Sequence, residues 1–529
     1  MKGAPVDFQQ ERIGWARTAV VPLAALVLVA GAYWPVLQGG FVWDDLIGFV
    51  WNDWLTHGEQ WKEYIFRGFN FWEHYFRPLV VALFTLQLRL FDSDPGAMHA
   101  VSLGLHLANV LLVGWLALRV SDAVGRPAKQ RLCYMAVAML AYGLHPALIE
   151  SVAWIGCQFD LIMTMFGLLA LLANSAVAHP IARPLAVAAC FFLAACSKEA
   201  AIAIPPLLVL FAWACEWKQG VQARAPDVRD FVTCNASTWI AVLLAGLVYL
   251  AFRQWALGNA MPPADESLSW LARLQLAAFT YLRYWGLILV PSIGMGPIHP
   301  YPIEPFLQVT LVSLVPVALA MGVIVWALVA AYRRGSGLAC LVLAVTASLV
   351  PVIRLLPTGF DPNLFHYRYL TCALAALCAM LPLLRPPSIV HGSGSLRLSF
   401  GLLAAAWVLS SAVAIRATLP LWASEISLWY WALQRNPESS LAASQLLGAL
   451  LEAERWQEAR ALADRVIVEH PGCTNCLINS ALLALIEGNE GRAQAEFEVL
   501  LDRQAEIEAS AFMSGKMDRL QQGLEKARR

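Results

Sequence analysis

The chain has 529 residues, of which 59% are hydrophobic and only 14% are charged. This composition lies outside the range of soluble globular proteins and predicts a membrane protein. The 37 acidic and 37 basic residues balance, so no excess of positive charge points to a nucleic acid partner. The eleven cysteines fall mostly in apolar segments, where small core side chains are the usual explanation, and they predict no disulfide framework.

The first apolar run, residues 18–37, follows Lys2, Arg12 and Arg17 and has no small-residue cleavage site after it. We therefore expect a retained membrane anchor with a cytoplasmic N-terminus, not a signal peptide. Together with later runs it predicts about eleven transmembrane helices in an all-α, multi-pass protein of the inner (plasma) membrane. The runs lie at 18–37, 97–118, 132–149, 160–178, 184–197, 201–217, 236–256, 307–331, 336–354, 368–384 and 398–416.

The basic residues test this topology. With the N-terminus inside, the Lys and Arg residues of the loops fall consistently on the cytoplasmic side. Residues 271–290 are apolar enough to cross, but counting them would place Arg333 and Arg334 outside, so we expect a re-entrant or surface segment. The first outer loop, 38–96, holds two segments that are expected to lie as helices in the membrane interface, 51–66 and 78–91.

After residue 417 the composition becomes charged and alanine-rich. Pro437 and Pro471 are 34 residues apart, as are Ala459 and Ala493, and this is the period of tetratricopeptide helix pairs. The sequence thus predicts a transmembrane domain over 1–417 and a tetratricopeptide-repeat α-solenoid over 418–529, on the outer (periplasmic) side. Cys473 and Cys476 lie in the repeats, where a local disulfide and two ordinary thiols are equally good interpretations.

Ionisable residues gather at the predicted outer face, although charged groups are expensive in a membrane and usually mark a site. Each also has a structural explanation: a solvated turn for the paired aspartates, a helix-stopping ion pair for Lys198 and Glu199, an interfacial anchor for Arg368 and a helix end for His145. The residues are Asp44, Asp45, Arg77, His145, Glu150, Asp160, Lys198, Glu199 and Arg368, with Tyr367 and Tyr369 beside the last.

Short motifs containing these residues occur in a particular order. They are G-G-F-V-W-D-D (39–45), Y-F-R-P-L (75–79), H-P-A-L-I-E-S-V-A-W-I (145–155) followed by Asp160, S-K-E-A-A-I (197–202) and R-Y-L (368–370). The order resembles that of the membrane O-mannosyltransferases with tetratricopeptide repeats, which belong to the GT-C superfamily of glycosyltransferases. The family usually has a Gly-Arg pair before the aspartate. Here the arginine is missing.

The resemblance implies that a sugar moves from a polyprenyl-phosphate donor to an acceptor hydroxyl of a protein, a glycan or a lipid, at the outer face of the membrane. Asp44 is then the expected general base. Asp45 is expected to orient the acceptor or to hold a divalent cation, Mg or Mn. The expected partners of the lipid phosphate are Arg368, Arg77 and Lys198, with Glu150, Asp160, His145, Glu199, Tyr367 and Tyr369 as supporting residues.

Two other classes of protein compete with this interpretation. A non-catalytic membrane scaffold would use the repeats to recruit envelope proteins, whereas the enzyme would use them to bind an acceptor protein or peptide. A scaffold, however, has no reason to gather carboxylates and an arginine at one face. A transporter would more often carry ionisable groups near the middle of the bilayer together with inverted repeats, and none is visible in the sequence.

The topology makes a direct prediction. An alkaline phosphatase fused after Glu425 should be active because the repeats are expected outside, and one fused between Arg119 and Arg131 should be inactive. Enzyme activity normalised to the amount of fusion protein measures both. The reverse pattern would contradict an outward-facing site.

Overall fold

The computed structural model describes residues 15–50, 60–67, 75–217, 225–260, 268–291, 295–300, 304–355, 363–384 and 394–527. The chain divides into two compact units, one within 1–295 and 301–420, the other formed by 296–300 and 421–529. Both are helical, as the composition predicts. The helices of the first unit are α1 (Trp15–Tyr33), α2 (Gln60–Arg67), α3 (Pro78–Phe91), α4 (Pro95–Ala123), α5 (Ala128–Gly143), α6 (Ile149–Ala153), α7 (Gln158–Ala176), α8 (Ala182–Ala195), α9 (Ile204–Glu216), α10 (Val228–Leu257), α11 (Trp270–Leu289), α12 (Glu304–Leu307), α13 (Leu311–Arg334), α14 (Gly337–Leu349), α15 (Leu370–Ala379) and α16 (Gly394–Thr418).

Among the described residues, seven helices are long and apolar enough to cross a membrane, or eight if one bent pair counts as a single span. The seven are Ala19–Gln38, Pro95–Ala123, Ile155–Ala176, Glu199–Glu216, Val228–Leu257, Leu311–Arg334 and Gly401–Trp422. The first unit is therefore a polytopic helical membrane domain by length and composition. The helix Trp270–Leu289 is not one of these candidates, and its re-entrant or surface position stays a prediction.

Three of the predicted spans are shorter than a bilayer requires. They correspond to the apolar helices Ala182–Ala195, Gly337–Val352 and Tyr367–Leu383, whereas a comfortable crossing takes about 20 residues. The count of about eleven is thus larger than the number of full-length spans. Proline explains why two of these helices are short, because Pro351 and Pro382 lie where the α-helix changes to a 3₁₀ turn.

The predicted span at 132–149 is bent by 52° between Gly143 and Pro146. Leu144 and His145 form the break, because the residue before a proline disfavours helical backbone. The Nδ1 atom of His145 accepts a hydrogen bond from the Ala147 amide at 3.3 Å, which caps the next turn. The short helix α6 follows, and this change of direction places Glu150 in the buried interior.

Helix α3, predicted to lie in the interface, packs one face into a core cluster. Val80, Phe84 and Leu88 are buried there with Phe49 and Met98. The other predicted interfacial helix is described only from residue 60 onward, as α2, and residues 51–59 lie outside the described residues. The buried face of α3 holds the segment that precedes it, including Arg77, against the rest of the first unit.

The second unit contains helix pairs that recur at the predicted interval. Helices α18 and α20 begin 34 residues apart in the numbering, at Ser440 and Thr474, and Ala459 and Ala493 are fully buried, as close helix crossing requires. Cys473 and Cys476 form a disulfide at the start of α20. The helices are α17 (Glu425–Arg435), α18 (Ser440–Glu452), α19 (Trp456–Glu469), α20 (Thr474–Ile486), α21 (Glu490–Leu501), α22 (Gln504–Glu508) and α23 (Ala511–Ala527).

Candidate functional site

Three ion pairs, each with a buried cation, join residues that the sequence singled out. Arg368 contacts Glu150 at 2.6 Å. Lys198 contacts Asp160 at 2.5 Å. The third pair links the side chain of Arg77 to Glu199 at 2.9 Å. The three cations are each less than a tenth exposed, and buried charges persist only when they are paired and hydrogen-bonded.

The ends of two helices stabilise the ion pair between Lys198 and Asp160. Asp160 lies in the first turn of α7, where the positive end of the helix dipole stabilises a carboxylate. Lys198 follows the last turn of α8, where the negative end favours a cation. Because α7 packs against α8, the two ends bring the carboxylate and the ammonium together.

Aromatic rings alternate with the same three cations. Arg77 lies 4.1 Å from the ring centroid of Tyr75 and 4.6 Å from that of Phe159. Lys198 lies 4.9 Å from Phe159 and 4.6 Å from Tyr369. We call these residues, with Arg368 and Trp154, the aromatic–cation row.

Arg368 continues the row at its other end. Its guanidinium carbon lies 5.1 Å from the Tyr369 ring and 4.7 Å from the Trp154 ring. It also contacts His366 Nδ1 at 3.0 Å. Cation–π contacts stabilise a charge best where water is excluded, so the rings support three cations in a buried setting.

Burial and neighbouring charges shift the pKa values of the cations outside the spans. Burial lowers the pKa of Lys198, and the charge of Asp160 only partly offsets this. Burial also acts to lower the pKa of Arg77, but Glu199, Tyr75 and Asp160 together outweigh it, so the pKa of Arg77 lies above its usual value. Arg77 is thus the more firmly charged of the two.

A strained loop faces the Trp154 end of the row. Trp43 adopts a left-handed backbone conformation with φ 58°, which is uncommon for a bulky residue and is often found at functional sites. Its indole stacks on Trp154 with ring centroids 5.0 Å apart and planes 9° apart. The stack supports the strained backbone and positions the two aspartates that follow.

The two adjacent aspartates have different environments. Asp45 is 1% exposed, and its carboxylate accepts hydrogen bonds from the backbone amides of Gly156 at 2.8 Å and Val42 at 3.4 Å. Burial raises the pKa of Asp45 well above its usual range despite these bonds. Asp44 is only half-buried. Asp45 therefore fixes the loop, and Asp44 is the more accessible carboxylate.

Gly156 makes the contact with Asp45 possible. A Cβ atom at this position would lie 3.1 Å from Asp45 Oδ1 and 2.9 Å from Trp154 Nε1. Real Cβ contacts are almost never that close, so a larger residue would push the turn away from the aspartate. The glycine of the expected Gly-Arg motif thus has a packing role here.

Two predicted supporting residues lie apart from the ionic contacts. His145 contacts the Ile288 carbonyl through Nε2 at 3.1 Å and caps the turn after it with Nδ1, so both ring nitrogens are used in the fold. Tyr367 is buried, with its ring centroid 6.5 Å from that of Phe365. Glu150, Asp160, Glu199 and Tyr369, by contrast, all contact the row.

Sequence reasoning missed Arg253 and Phe159. Arg253, on α10, is 3% exposed and contacts Glu199 at 3.4 Å, so Glu199 bridges Arg253 and Arg77. An arginine that follows the long apolar stretch of α10 is the signal that could have found it. Phe159 gave no signal, because one phenylalanine among many does not stand out. Gln158, between Gly156 and Asp160, pairs with Gln87 at 2.8 Å.

Two buried polar atoms of the three ion pairs have no hydrogen-bond partner among the described residues. They are the Oδ2 atom of Asp160 and the Nε atom of Arg368. One is an acceptor and the other a donor. Unpaired buried groups of this kind call for a water molecule or a ligand group.

No group of three His, Cys, Asp or Glu side chains that could hold a metal ion occurs within the described ranges. Asp45, the expected metal-binding alternative, directs its oxygens at backbone amides. The involvement of Mg or Mn stays a prediction.

Comparison with known proteins gives limited similarity. No family model and no curated protein matches the chain. Two solved structures resemble it, both archaeal oligosaccharyltransferases from Archaeoglobus fulgidus. One is AglB in complex with an inhibitory peptide and a dolichol-phosphate, with 15% identity, 84% of this chain and 60% of that chain covered, and a TM-score of 0.38. The other is the apo form, with 14% identity, 83% and 59% coverage, and a TM-score of 0.36.

Both neighbours are described as oligosaccharyltransferases, and neither is described as an O-mannosyltransferase. The chain spans 60% and 59% of the length of the two structures. A likeness of this size carries no argument about activity, which depends on the site.

The central ion pair yields a prediction about stability. Changing Lys198 to Met leaves the Asp160 carboxylate buried without its cation and should destabilise the protein by about 3–5 kcal/mol. Replacing both residues, Lys198→Met with Asp160→Leu, should recover most of that loss, because no unpaired charge remains. The midpoint of thermal unfolding of purified protein in detergent reports both. Exposed Lys526→Met is the control, and an unchanged midpoint in the single variant would contradict the buried pair.

Proposed function

We propose that the first unit is a membrane glycosyltransferase, which transfers a sugar from a polyprenyl-phosphate-linked donor to an acceptor hydroxyl at the outer face of the membrane. The observation that carries the proposal is the aromatic–cation row, with a strained loop bearing two aspartates at its Trp154 end. The order of the motifs in the sequence supports the same reaction. The proposed acceptor is a protein or peptide bound by the second unit.

The row suits the phosphate of a lipid-linked sugar. Arg368, Lys198 and Arg77 supply three charges in a setting with little water, where a cation stabilises a developing anion more strongly than it does in solution. Each already has a carboxylate partner, so the phosphate must use the remaining N–H groups. The Nε atom of Arg368 is one such donor, and a guanidinium can hold two phosphate oxygens at once.

Asp44 is the proposed general base. The acceptor oxygen attacks the anomeric carbon of the sugar and forms the new glycosidic bond, while Asp44 takes the hydroxyl proton. The bond between the anomeric carbon and the phosphate oxygen breaks, and its electron pair leaves on the lipid phosphate. The cations of the row stabilise that charge. Asp45 fixes the loop by accepting the hydrogen bond from the Gly156 amide.

A scaffold accounts for the site less well. Buried ion pairs are weak contributors to stability and are often replaceable by apolar residues. Two buried pairs and a third, partly buried one, joined by aromatic rings beside a left-handed tryptophan, are costly for a protein that needs only an anchor. The apolar double variant at Lys198 and Asp160 separates the two functions, since a scaffold would tolerate it and an enzyme would lose turnover.

The general base can be tested directly. Asp44→Asn keeps the size of the side chain and removes the basic oxygen, so transfer should fall about a hundredfold or more while expression and membrane insertion persist. The measurement is transfer from a polyprenyl-phosphate sugar to an acceptor hydroxyl, by membranes with equal amounts of each variant. Asp45→Asn is the matched control and should lose less activity. Undiminished transfer by Asp44→Asn would remove the mechanism.

The donor site gives a second test. Arg368→Ala should lower kcat/KM for the donor by about 2–4 kcal/mol of transition-state stabilisation. Because this change also leaves Glu150 unpaired, Arg368→Lys is the better-matched variant: it keeps a counter-ion but loses the two-pronged donor. It should recover part of the activity in steady-state kinetics. If both variants transfer sugar at the unmodified rate, the phosphate is bound elsewhere.

A further inference from the structure

The disulfide of the second unit closes a very small ring at the start of a helix. Cys473 is the N-cap residue of α20 and forms the disulfide with Cys476, three positions later. Cys473 is partly exposed, whereas Cys476 is 1% exposed. Only one sulfur of the bond is therefore open to a molecule that approaches from solution.

A purely structural role explains this disulfide poorly. In the chain-entropy model a disulfide stabilises a fold by closing a loop of the unfolded chain, and the gain is smallest for the shortest ring. Here only two residues lie between the cysteines. The start of α20 is also held without the bond, because Leu477 and Ile478 pack in an apolar core cluster with Leu520.

The helix start stabilises a negative charge on the exposed sulfur. The Sγ atom of Cys473 accepts a hydrogen bond from the Cys476 amide at 3.2 Å, and this amide is one of the N–H groups that have no partner within the helix. Such groups, together with the helix dipole, stabilise an anion at this end. The reduced pair is therefore expected to carry a thiolate at Cys473, and the thiolate is the form of cysteine that exchanges with disulfides.

The turn that carries Cys473 is anchored by contacts that do not involve the sulfur atoms. Arg503 donates hydrogen bonds to the Pro471 carbonyl at 2.8 Å and to the Thr474 hydroxyl at 3.3 Å, so it holds the chain on both sides of the cysteine. The Thr474 hydroxyl donates in turn to Glu506 at 2.6 Å. Arg503 and Glu506 have opposite charges, so the helix start is the main stabiliser of a thiolate. The two sulfurs can thus separate and join again without a change of fold.

The two cysteines differ in what they can hold once the bond is open. The carbonyl oxygen of Ser440, on α18, lies 3.7 Å from Cys476 Sγ and 3.8 Å from Cys473 Sγ, within reach of a weak S–H donor. Cys476 is the buried one, and burial disfavours a thiolate. Cys476 is therefore placed to keep a proton, with Ser440 as acceptor, and Cys473 to carry the charge.

The approach to Cys473 is open to a polypeptide. Pro471 and Gly472, which precede it, are exposed. A Cβ atom at Gly472 would have no described atom within 4 Å, and the φ of Gly472 is not positive, so the backbone does not require glycine there. An unhindered turn beside a partly exposed sulfur leaves room for a second chain.

We propose that Cys473 and Cys476 form a redox-active pair that exchanges its disulfide with the cysteine thiols of a polypeptide. A thiolate of the polypeptide attacks Cys473 Sγ and forms a mixed disulfide, while the bond to Cys476 breaks and its electron pair leaves on Cys476, which takes up a proton. A second thiolate of the polypeptide attacks the polypeptide sulfur of the mixed disulfide and releases Cys473 as a thiolate. The polypeptide loses two electrons and gains a disulfide, and the pair is reduced.

This activity stands apart from the proposed sugar transfer, because it uses no residue of the first unit. The second unit is proposed to lie on the outer side of the membrane, where proteins keep their disulfides. A small-molecule disulfide of that compartment, reduced to two thiols, returns Cys473 and Cys476 to the oxidised state.

Thiol–disulfide exchange measures the activity. Purified full-length protein in detergent is oxidised with oxidised glutathione, the glutathione is removed, and an excess of a reduced peptide with two cysteines is added. After alkylation of free thiols, mass spectrometry of the tryptic peptide 466–492 reports the pair, because this peptide contains no other cysteine. The pair should become reduced while an equal amount of the added peptide gains a disulfide. The same peptide with two serines is the control and should leave the pair oxidised.

Single-cysteine variants identify the reacting sulfur. Cys476→Ser should form a mixed disulfide with the oxidised form of the peptide through Cys473. At about pH 7 this should be about fivefold or more faster than for a synthetic peptide of residues 470–479 with the same change, which lacks the folded helix. Cys473→Ser is the matched control and should form almost none, since Cys476 is 1% exposed. Asp44→Asn should exchange normally, so a failure of catalysis and a failure of this pair are distinguishable.

Three outcomes would overturn the proposal. One is a pair that stays oxidised in the presence of the peptide with two cysteines, or that never forms a disulfide. Another is equal reaction of Cys476→Ser and Cys473→Ser, or a rate for Cys476→Ser no greater than that of the synthetic peptide. The third is reduction of the pair by glutathione without reduction by the peptide, which would assign the pair to small thiols.

Discussion

Lys198 and Asp160 are almost wholly buried, and the 2.5 Å contact between them lies at the centre of the candidate site. Phe159, next to Asp160 in the chain, and Tyr369 pack on the ammonium from two directions. Through these rings the pair connects Arg77 with Arg368. Without the Asp160 carboxylate the lysine would not stay charged in this setting, and the aromatic–cation row would lose its central charge.

The backbone at Lys198 explains how neighbouring residues reach different partners. Lys198 is extended, with φ −159° and ψ 140°, and successive side chains of an extended segment point to opposite sides. Lys198 therefore contacts Asp160, whereas Glu199 contacts Arg77 and Arg253. One interpretation of the sequence pairs the two residues with each other. A two-residue motif does not reveal backbone direction, so only the structure distinguishes these arrangements.

The general organisation of the chain follows from its sequence, and the finer organisation of the site does not. Hydrophobic runs predict the membrane helices because a bilayer dictates their length and composition, and the spacing of Ala459 and Ala493 predicts the helix pairs. The sequence does not show that Asp45 is buried and Asp44 only half-buried. This difference arises because Gly156, which is distant in the chain, approaches Asp45. Arg253 was overlooked for a similar reason: its partner lies on another segment.

Gly156 links two stretches of chain that lie 111 residues apart, and this bears on how the protein can diverge. Any side chain at 156 meets Asp45 and Trp154 at once, so a single change there is disfavoured while those two residues remain. A library that randomises position 156 alone should return glycine. A library that randomises positions 45 and 156 together should return pairs in which a smaller residue at 45 accompanies a larger one at 156. Positions 45 and 156 should therefore change together rather than independently.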